Sequence, residues 1–126
     1  MKRIGFIGTS PIQETEAATL AHIGETIARL GHTLLIPPHG SPAPTAVAAG
    51  ALRAGGTIET PRHTPIVRAA DHTFIYNPTT QLLAAITRKL GPWEELPVTI
   101  ITPSDLTAWA SAIDEYAAPI LKDQRP

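Results

Sequence analysis

Three short polar stretches carry most of the residues in this 126-residue chain that could do chemistry on a small molecule: Gly8-Thr9-Ser10, Pro38-His39-Gly40-Ser41 and Asn77-Pro78-Thr79-Thr80-Gln81. Each follows an apolar run and precedes residues of helical period. The free N–H groups and positive dipole end of a helix N-terminus suit a phosphate or carboxylate. Gly8 and Gly40 would let backbone amides approach an anion, and the hydroxyls of Thr9, Ser10, Ser41, Thr45, Thr79 and Thr80 add donors. Plain helix capping accounts for any one of these loops. Three of them at one edge of a sheet make the stronger case for a binding site. His39 lies within the second loop, where a solvated imidazole is the simpler reading and a ligand contact the alternative.

The fingerprints of better-defined sites are absent. The first apolar run is not followed by G-x-G-x-x-G, and neither G-x-x-x-x-G-K-[ST] nor G-x-S-x-G occurs. No acidic pair ends that run, as a magnesium-dependent phosphoacceptor domain would need. His22, His32, His39, His63 and His72 have no tight ligand spacing, and there are no cysteines, so neither a metal nor a cofactor is expected. Ten Lys plus Arg oppose eleven Asp plus Glu, with no basic stripe, so nucleic acid is not an expected partner. No apolar run approaches the ~18 to 20 residues of a membrane span, and the start lacks a signal peptide's apolar region. A cytoplasmic protein with no membrane partner is expected.

The elements that must position these loops follow from periodicity. Lys2 to Gly8 reads as a buried strand ending in a tight turn. Ala17, Leu20, Ile23, Ile27 and Leu30 give one helix face from about Glu14 to Leu30, and Gly31 stops it as a left-handed cap. A second strand runs from Thr33 to Ile36. Pro37 to Thr45 holds four prolines and is expected to be loop. The next helix, from about Thr45 to Ala54, should turn Val47, Ala51 and Leu52 inward before Gly55-Gly56 ends it. A weak strand from Thr57 to Thr60 and a connection from Pro61 to Ala70 lead to a fourth strand, Thr73 to Tyr76. A helix capped by Thr79 or Thr80 runs to Leu90, with Leu82, Leu83, Ile86 and Leu90 inward. The fifth strand is Val98 to Ile101, and Ser104 or Asp105 caps a last helix through Leu106, Trp109, Ile113, Tyr116 and Leu121.

That order predicts an α/β fold: a single Rossmann-like three-layer domain, residues 1–121, with a mostly parallel five-stranded sheet and a free tail at 122–126. In such sheets ligands bind at the carboxyl ends of the strands, near the topological switch point. Pro11, Pro37, Pro38, Pro42, Pro44, Pro78 and Pro103 are all expected in loops at those ends, where they would stiffen a preformed site.

I-G-F-I-G-T-S at 4–10 resembles the opening strand and turn of the LOG-like ("lysine-decarboxylase-like") Rossmannoid superfamily, and A-R-L-G-H-T-L-L-I at 28–36 is similar to its first crossover. More specific is P-H-G-S-P-A-P-T-A-V-A-A-G-A-L-R-A-G-G at 38–56, which resembles the superfamily's G-G-G-x-x-G-L-M-x-A-V-A-x-G-A-x-x-A-G-G. The resemblance covers residues 1 to about 102. It implies a nucleotide-binding fold whose enzymes cleave the N-glycosidic bond of nucleoside 5′-monophosphates, and whose broader relatives include DNA-uptake proteins and sensors of NAD-derived nucleotides. It also implies a phosphate-facing role for Arg62, upstream of the fourth strand. The catalytic signature P-G-G-x-G-T-x-x-E is not kept. Pro78 matches, threonines replace the glycines, and Ala84 and Ala85 occupy the region of the glutamate. Glycosidic cleavage needs a carboxylate to stabilise an oxocarbenium-like centre or activate water, and alanine does neither.

The resulting expectation is non-hydrolytic binding of a nucleotide-type ligand, a nucleoside phosphate or NAD-derived molecule, by a sensor, carrier or sequestering domain. Its contacts would come from Gly8, Thr9, Ser10, His39, Gly40, Ser41, Thr45, Arg62, Asn77, Pro78, Thr79 and Thr80. One alternative is an N-glycosidase or phosphoribohydrolase with relocated catalytic residues, Arg62 with Glu59 or Asp71 being the candidates. The other is an interaction subunit with a vestigial pocket. A homo-oligomer is expected, with Ala46, Ala48, Ala49, Ala84 and Ala85 as candidate packing surfaces.

Overall fold

The apolar runs of the sequence become the strands of one sheet. A computed structural model describes residues 2–38 and 40–106. Its strands are β1 (Arg3–Ile7), β2 (Thr33–Leu35), β3 (Ile58–Glu59), β4 (His72–Tyr76) and β5 (Val98–Ile101). Between them run α1 (Glu14–Arg29), α2 (Pro42–Arg53), α3 (Ile66–Ala69) and α4 (Thr80–Leu90). The spatial order is β3-β2-β1-β4-β5, and every neighbouring pair is parallel. Parallel neighbours need crossovers, so helices cover the sheet from both sides and the central strands read as continuous apolar runs. This is the single Rossmann-like α/β unit that the alternation predicted.

Strand alternation decides which residues meet which helix. Ile4, Phe6, Leu34, Phe74, Tyr76 and Ile101 join one core cluster with Leu20, Ile23 and Ile27 of α1 and Val47, Ala48 and Ala51 of α2. Ile7 and Leu35 turn to the opposite face, where Ile66 and Ala70 pack. There β1 carries Gly5, because a Cβ at that position would lie 2.5 Å from Ile66 Cγ2.

Several boundaries differ from expectation for identifiable reasons. The helix expected from Thr45 starts at Pro42, with Ser41 as its N-cap. The first N–H groups of a helix have no intrahelical partner, so Pro42 and Pro44 cost it nothing there. Leu52, expected inward, is 63% exposed. It lies about 100° around the helix from Ala51, on which the burial centres. Leu30 is 37% exposed, because the chain is already leaving α1 at that C-cap residue. On α4 only Ile86 is buried, while Leu82, Leu83 and Leu90 are half-exposed. Ala48 is buried and Ala46 partly buried against the chain's own core.

Helical residues 103–106 follow β5. Their cap is Thr102, not Ser104 or Asp105: Asp105 N–H donates to Thr102 Oγ1 at 3.2 Å and Thr102 N–H to Asp105 Oδ2 at 3.3 Å. The expected continuation through Trp109, Ile113, Tyr116 and Leu121, and the tail at 122–126, lie outside the described residues.

The tightest constraint is where α1 crosses α2. A Cβ on Gly24 would lie 1.8 Å from the Val47 carbonyl oxygen, and one on Gly50 1.7 Å from that of Ala21. The two backbones are therefore in direct contact, and the obstacle at both positions is main chain, which cannot rotate away as a side chain would. Gly50→Ala is expected to destabilise the fold by about 3 kcal/mol or more, at the upper end for overpacking. Ala49→Gly, on the exposed side of the same helix, should cost only about 1 kcal/mol from propensity. Urea denaturation of the two variants beside the parent checks the contrast.

Candidate functional site

With this strand order, the chain leaving β1 turns toward β2 while β4 lies on the other side, so the carboxyl ends of β1 and β4 form the switch point. The loops there are tied together. Ser10 Oγ donates to the Asn77 carbonyl oxygen at 3.0 Å, and Asn77 N–H donates to the Ile101 carbonyl oxygen at 2.8 Å. Asn77 takes φ 45°, a left-handed turn that asparagine tolerates better than most residues. Gly8 is held close to β4: a Cβ there would meet the Tyr76 carbonyl oxygen at 3.0 Å.

A cleft of about 570 Å³ opens beside this point. Its floor is Ile7, Gly8 and Thr9 at the end of β1. One wall is Pro37, Pro38 and Ser41 with residues 61–67, and the other is Leu82, Ala85, Ile86, Lys89 and Leu90 of α4. The α4 residues fall at spacings of three and four, so they form one helical stripe. That stripe is only partly buried, because α3 is a single turn and stands across the cleft from α4 without filling it.

Of the residues singled out in the sequence, Gly8, Thr9, Ser41 and Arg62 line this cleft. Ser10 and Asn77 are outside the lining: the Ser10 hydroxyl is spent on the Asn77 carbonyl oxygen, and the Asn77 N–H on Ile101. Thr79 accepts a hydrogen bond from Leu82 N–H at 3.1 Å, so its hydroxyl caps α4. Pro78 and Thr80 flank that cap outside the lining. Gly40 adopts φ +68° and turns the chain into Ser41. Thr45 sits in the first turn of α2 and donates its N–H to the Ser41 carbonyl oxygen at 3.1 Å. His39 lies outside the described residues.

The proposed catalytic carboxylates are elsewhere. Glu59 pairs with Arg3 at 2.8 Å on an exposed face. Asp71 accepts the Arg3 N–H at 2.7 Å at the start of β4, the opposite end of the strand from the cleft. Counted residue by residue from Pro78, the superfamily's glutamate falls on Ile86, one place beyond the alanines. Ile86 is buried and forms part of the cleft wall. The position is as apolar as the alanines and equally unable to stabilise positive charge.

Two helix N-termini contribute less than composition suggested. Pro42 and Pro44 have no N–H, so the first turn of α2 keeps only the Ala43 amide as a donor. The start of α1 already carries Glu14 and Glu16, which occupy the positive end of its dipole. Glu16 accepts the Gln13 N–H at 3.2 Å and also the hydroxyl of Tyr76. Burial first, and then the bond to Glu16 and its charge, raise the Tyr76 pKa well above the ordinary value of 10.

What sequence reasoning missed is a second cation in the lining, Lys89. Arg62, His63 and Lys89 all line the cleft, while its described lining contains no Asp or Glu. Neither Arg62 nor Lys89 enters any ion pair among the described residues. The signal was legible in part: Pro61-Arg-His-Thr-Pro65 frames two basic residues between prolines, and Lys89 interrupts an otherwise apolar helical stripe. Among the described residues no group of three or more His, Asp or Glu converges to hold a metal, and no helix is long and apolar enough to cross a membrane.

No protein-family model and no curated protein matches the chain. Among solved structures it is similar to the molybdenum cofactor carrier protein from Chlamydomonas reinhardtii, at 17% identity over 89% of this chain and 84% of that one, with a TM-score of 0.63. At that identity the likeness shows a shared fold.

The Tyr76 environment has a measurable consequence. A folded pKa above the unfolded value means that the native state holds its proton more tightly, so this stabilisation is complete below about pH 10 and lost as pH rises beyond it. Tyr76→Phe should lower stability by about 1 kcal/mol at neutral pH. Between pH 9 and 11 the gap between parent and variant should narrow, as read from urea midpoints at stepped pH.

Proposed function

We propose that this protein binds a small nucleotide-type anion, a nucleoside phosphate or an NAD-derived molecule, without converting it, as a carrier, sensor or sequestering domain. The observation that carries the reading is a preformed cleft at the sheet's carboxyl edge, positively charged and without a carboxylate in its described lining. Such a lining favours an anion and offers no carboxylate to meet the positive charge that develops in glycosidic cleavage. The prolines on its walls restrict the backbone, which lowers the ordering cost of binding. The fold neighbour is described as a carrier protein for molybdenum cofactor, and a carrier role for this chain is in keeping with that likeness. The sequence resemblance makes the chain a degenerate member of the LOG-like superfamily, with Arg62 keeping its phosphate-facing place. A cytoplasmic homo-oligomer belongs to the same reading, with sedimentation as its measure.

Calorimetric titration with AMP, NAD, ADP-ribose and molybdenum cofactor tests the proposal. At least one should bind at millimolar concentration or tighter without turnover, and Arg62→Ala should weaken it about tenfold, the loss of one charge-assisted hydrogen bond. No heat change with any of the four would sink the reading. Release of free base from AMP, abolished by Glu59→Gln, would replace it with the hydrolytic alternative.

A further inference from the structure

Lys89 sits at an unusual place for a lysine on this helix. Leu82, Ala85, Ile86 and Leu90 share its side of α4 and line the same cleft, so the helical stripe is apolar everywhere else. A lysine in the last turn gains from the helix dipole wherever it points. That gain is equally available to Arg88, which does not line the cleft, so it does not account for Lys89 being on this face. Arg62 lines the same cleft, exposed and outside every ion pair among the described residues. The alternative anchors for an anion at this edge are weak: Glu16 occupies the start of α1, and prolines remove two of the first three amides of α2.

Resting on the reading above, we infer that Lys89 and Arg62 form a two-cation subsite that holds the anionic group of an amphipathic small molecule, whose apolar body lies along Leu82, Ala85, Ile86 and Leu90. Lys89 is thereby a specificity-determining residue: it selects ligands that carry negative charge at one end of a flat or apolar frame. The charged group is held by side-chain cations, not by the backbone amides of the loops that the sequence offered.

The test uses 8-anilinonaphthalene-1-sulfonate, a fused aromatic body with one sulfonate, as fluorescent probe on the full chain. The parent protein should bind it with a salt-sensitive affinity. Lys89→Ala and Arg62→Ala should each weaken it about fivefold, in keeping with partly exposed charge pairs. Lys89→Arg should restore binding, and Ala85→Asp should abolish it by placing an anion in the cleft. Glu16→Gln should leave the affinity within twofold. Equal probe affinity in the parent, Lys89→Ala and Arg62→Ala proteins overturns the inference, as does marked tightening by Glu16→Gln, which would return the anion to α1. The two readings fail separately. Lys89-dependent probe binding without any nucleotide response keeps the subsite and rejects the nucleotide, whereas nucleotide binding unaffected by Lys89→Ala does the reverse.

Discussion

The contact of α1 with α2 at Gly24 and Gly50 is the constraint on which the rest of the molecule depends. With no side chain at either crossing point, the two backbones touch, and both helices lie flat over β1, β2 and β4. Close approach of that kind gains many small dispersion contacts and leaves no room for a void. On that side of the sheet lies the larger of the two core clusters among the described residues. The other face is covered by the single turn of α3 and by an α4 that buries only Ile86. The asymmetry has a functional result, because the less covered face is the one on which the cleft opens.

Six of the thirteen prolines fall into two groups with different physical roles. Pro37, Pro38, Pro61 and Pro65 are in the walls of the cleft, where a fixed φ restricts the loops that border it. Pro42 and Pro44 instead open α2, which removes amide donors from a helix end that would otherwise attract an anion. The same residue type therefore stiffens the site and shifts where charge can be held within it. Basic side chains, Arg62 and Lys89, are present in the lining of that cleft.

This lining bears on chemistry as well as on binding. A glycine-rich loop and a glutamate act together in glycosidic cleavage, one to hold phosphate and the other to meet developing positive charge. Here Thr79 caps α4, and the buried residue of that helix is the apolar Ile86. The carboxylates that composition offered as replacements are committed to Arg3, one through its guanidinium and one through its backbone amide. The described lining of the cleft combines Arg62, His63 and Lys89 with no Asp or Glu.

Much of the fold was legible in order and period alone. The strand at Val98–Ile101 and the helix from Glu14 were read directly, because short apolar runs and an i, i+3, i+4 face are local properties. Gly31, with φ +82°, ends α1 as its position implied. The start of α2 was misread because prolines weigh against a helix interior while its first turn accepts them. The site was legible only in part. Gly8, Thr9, Ser41 and Arg62 border the cleft as expected, but Thr79, Ser10 and Asn77 turn out to satisfy the loops' own hydrogen bonds. Sequence by itself determined the layers, the parallel sheet and the edge at which a ligand would sit, all consequences of periodicity and chain connectivity. Tertiary structure alone decided that Lys89 and Arg62 line one cleft. Residues so far apart in the chain meet only once α4 and the loop before α3 are packed on the same face, and no local spacing encodes that.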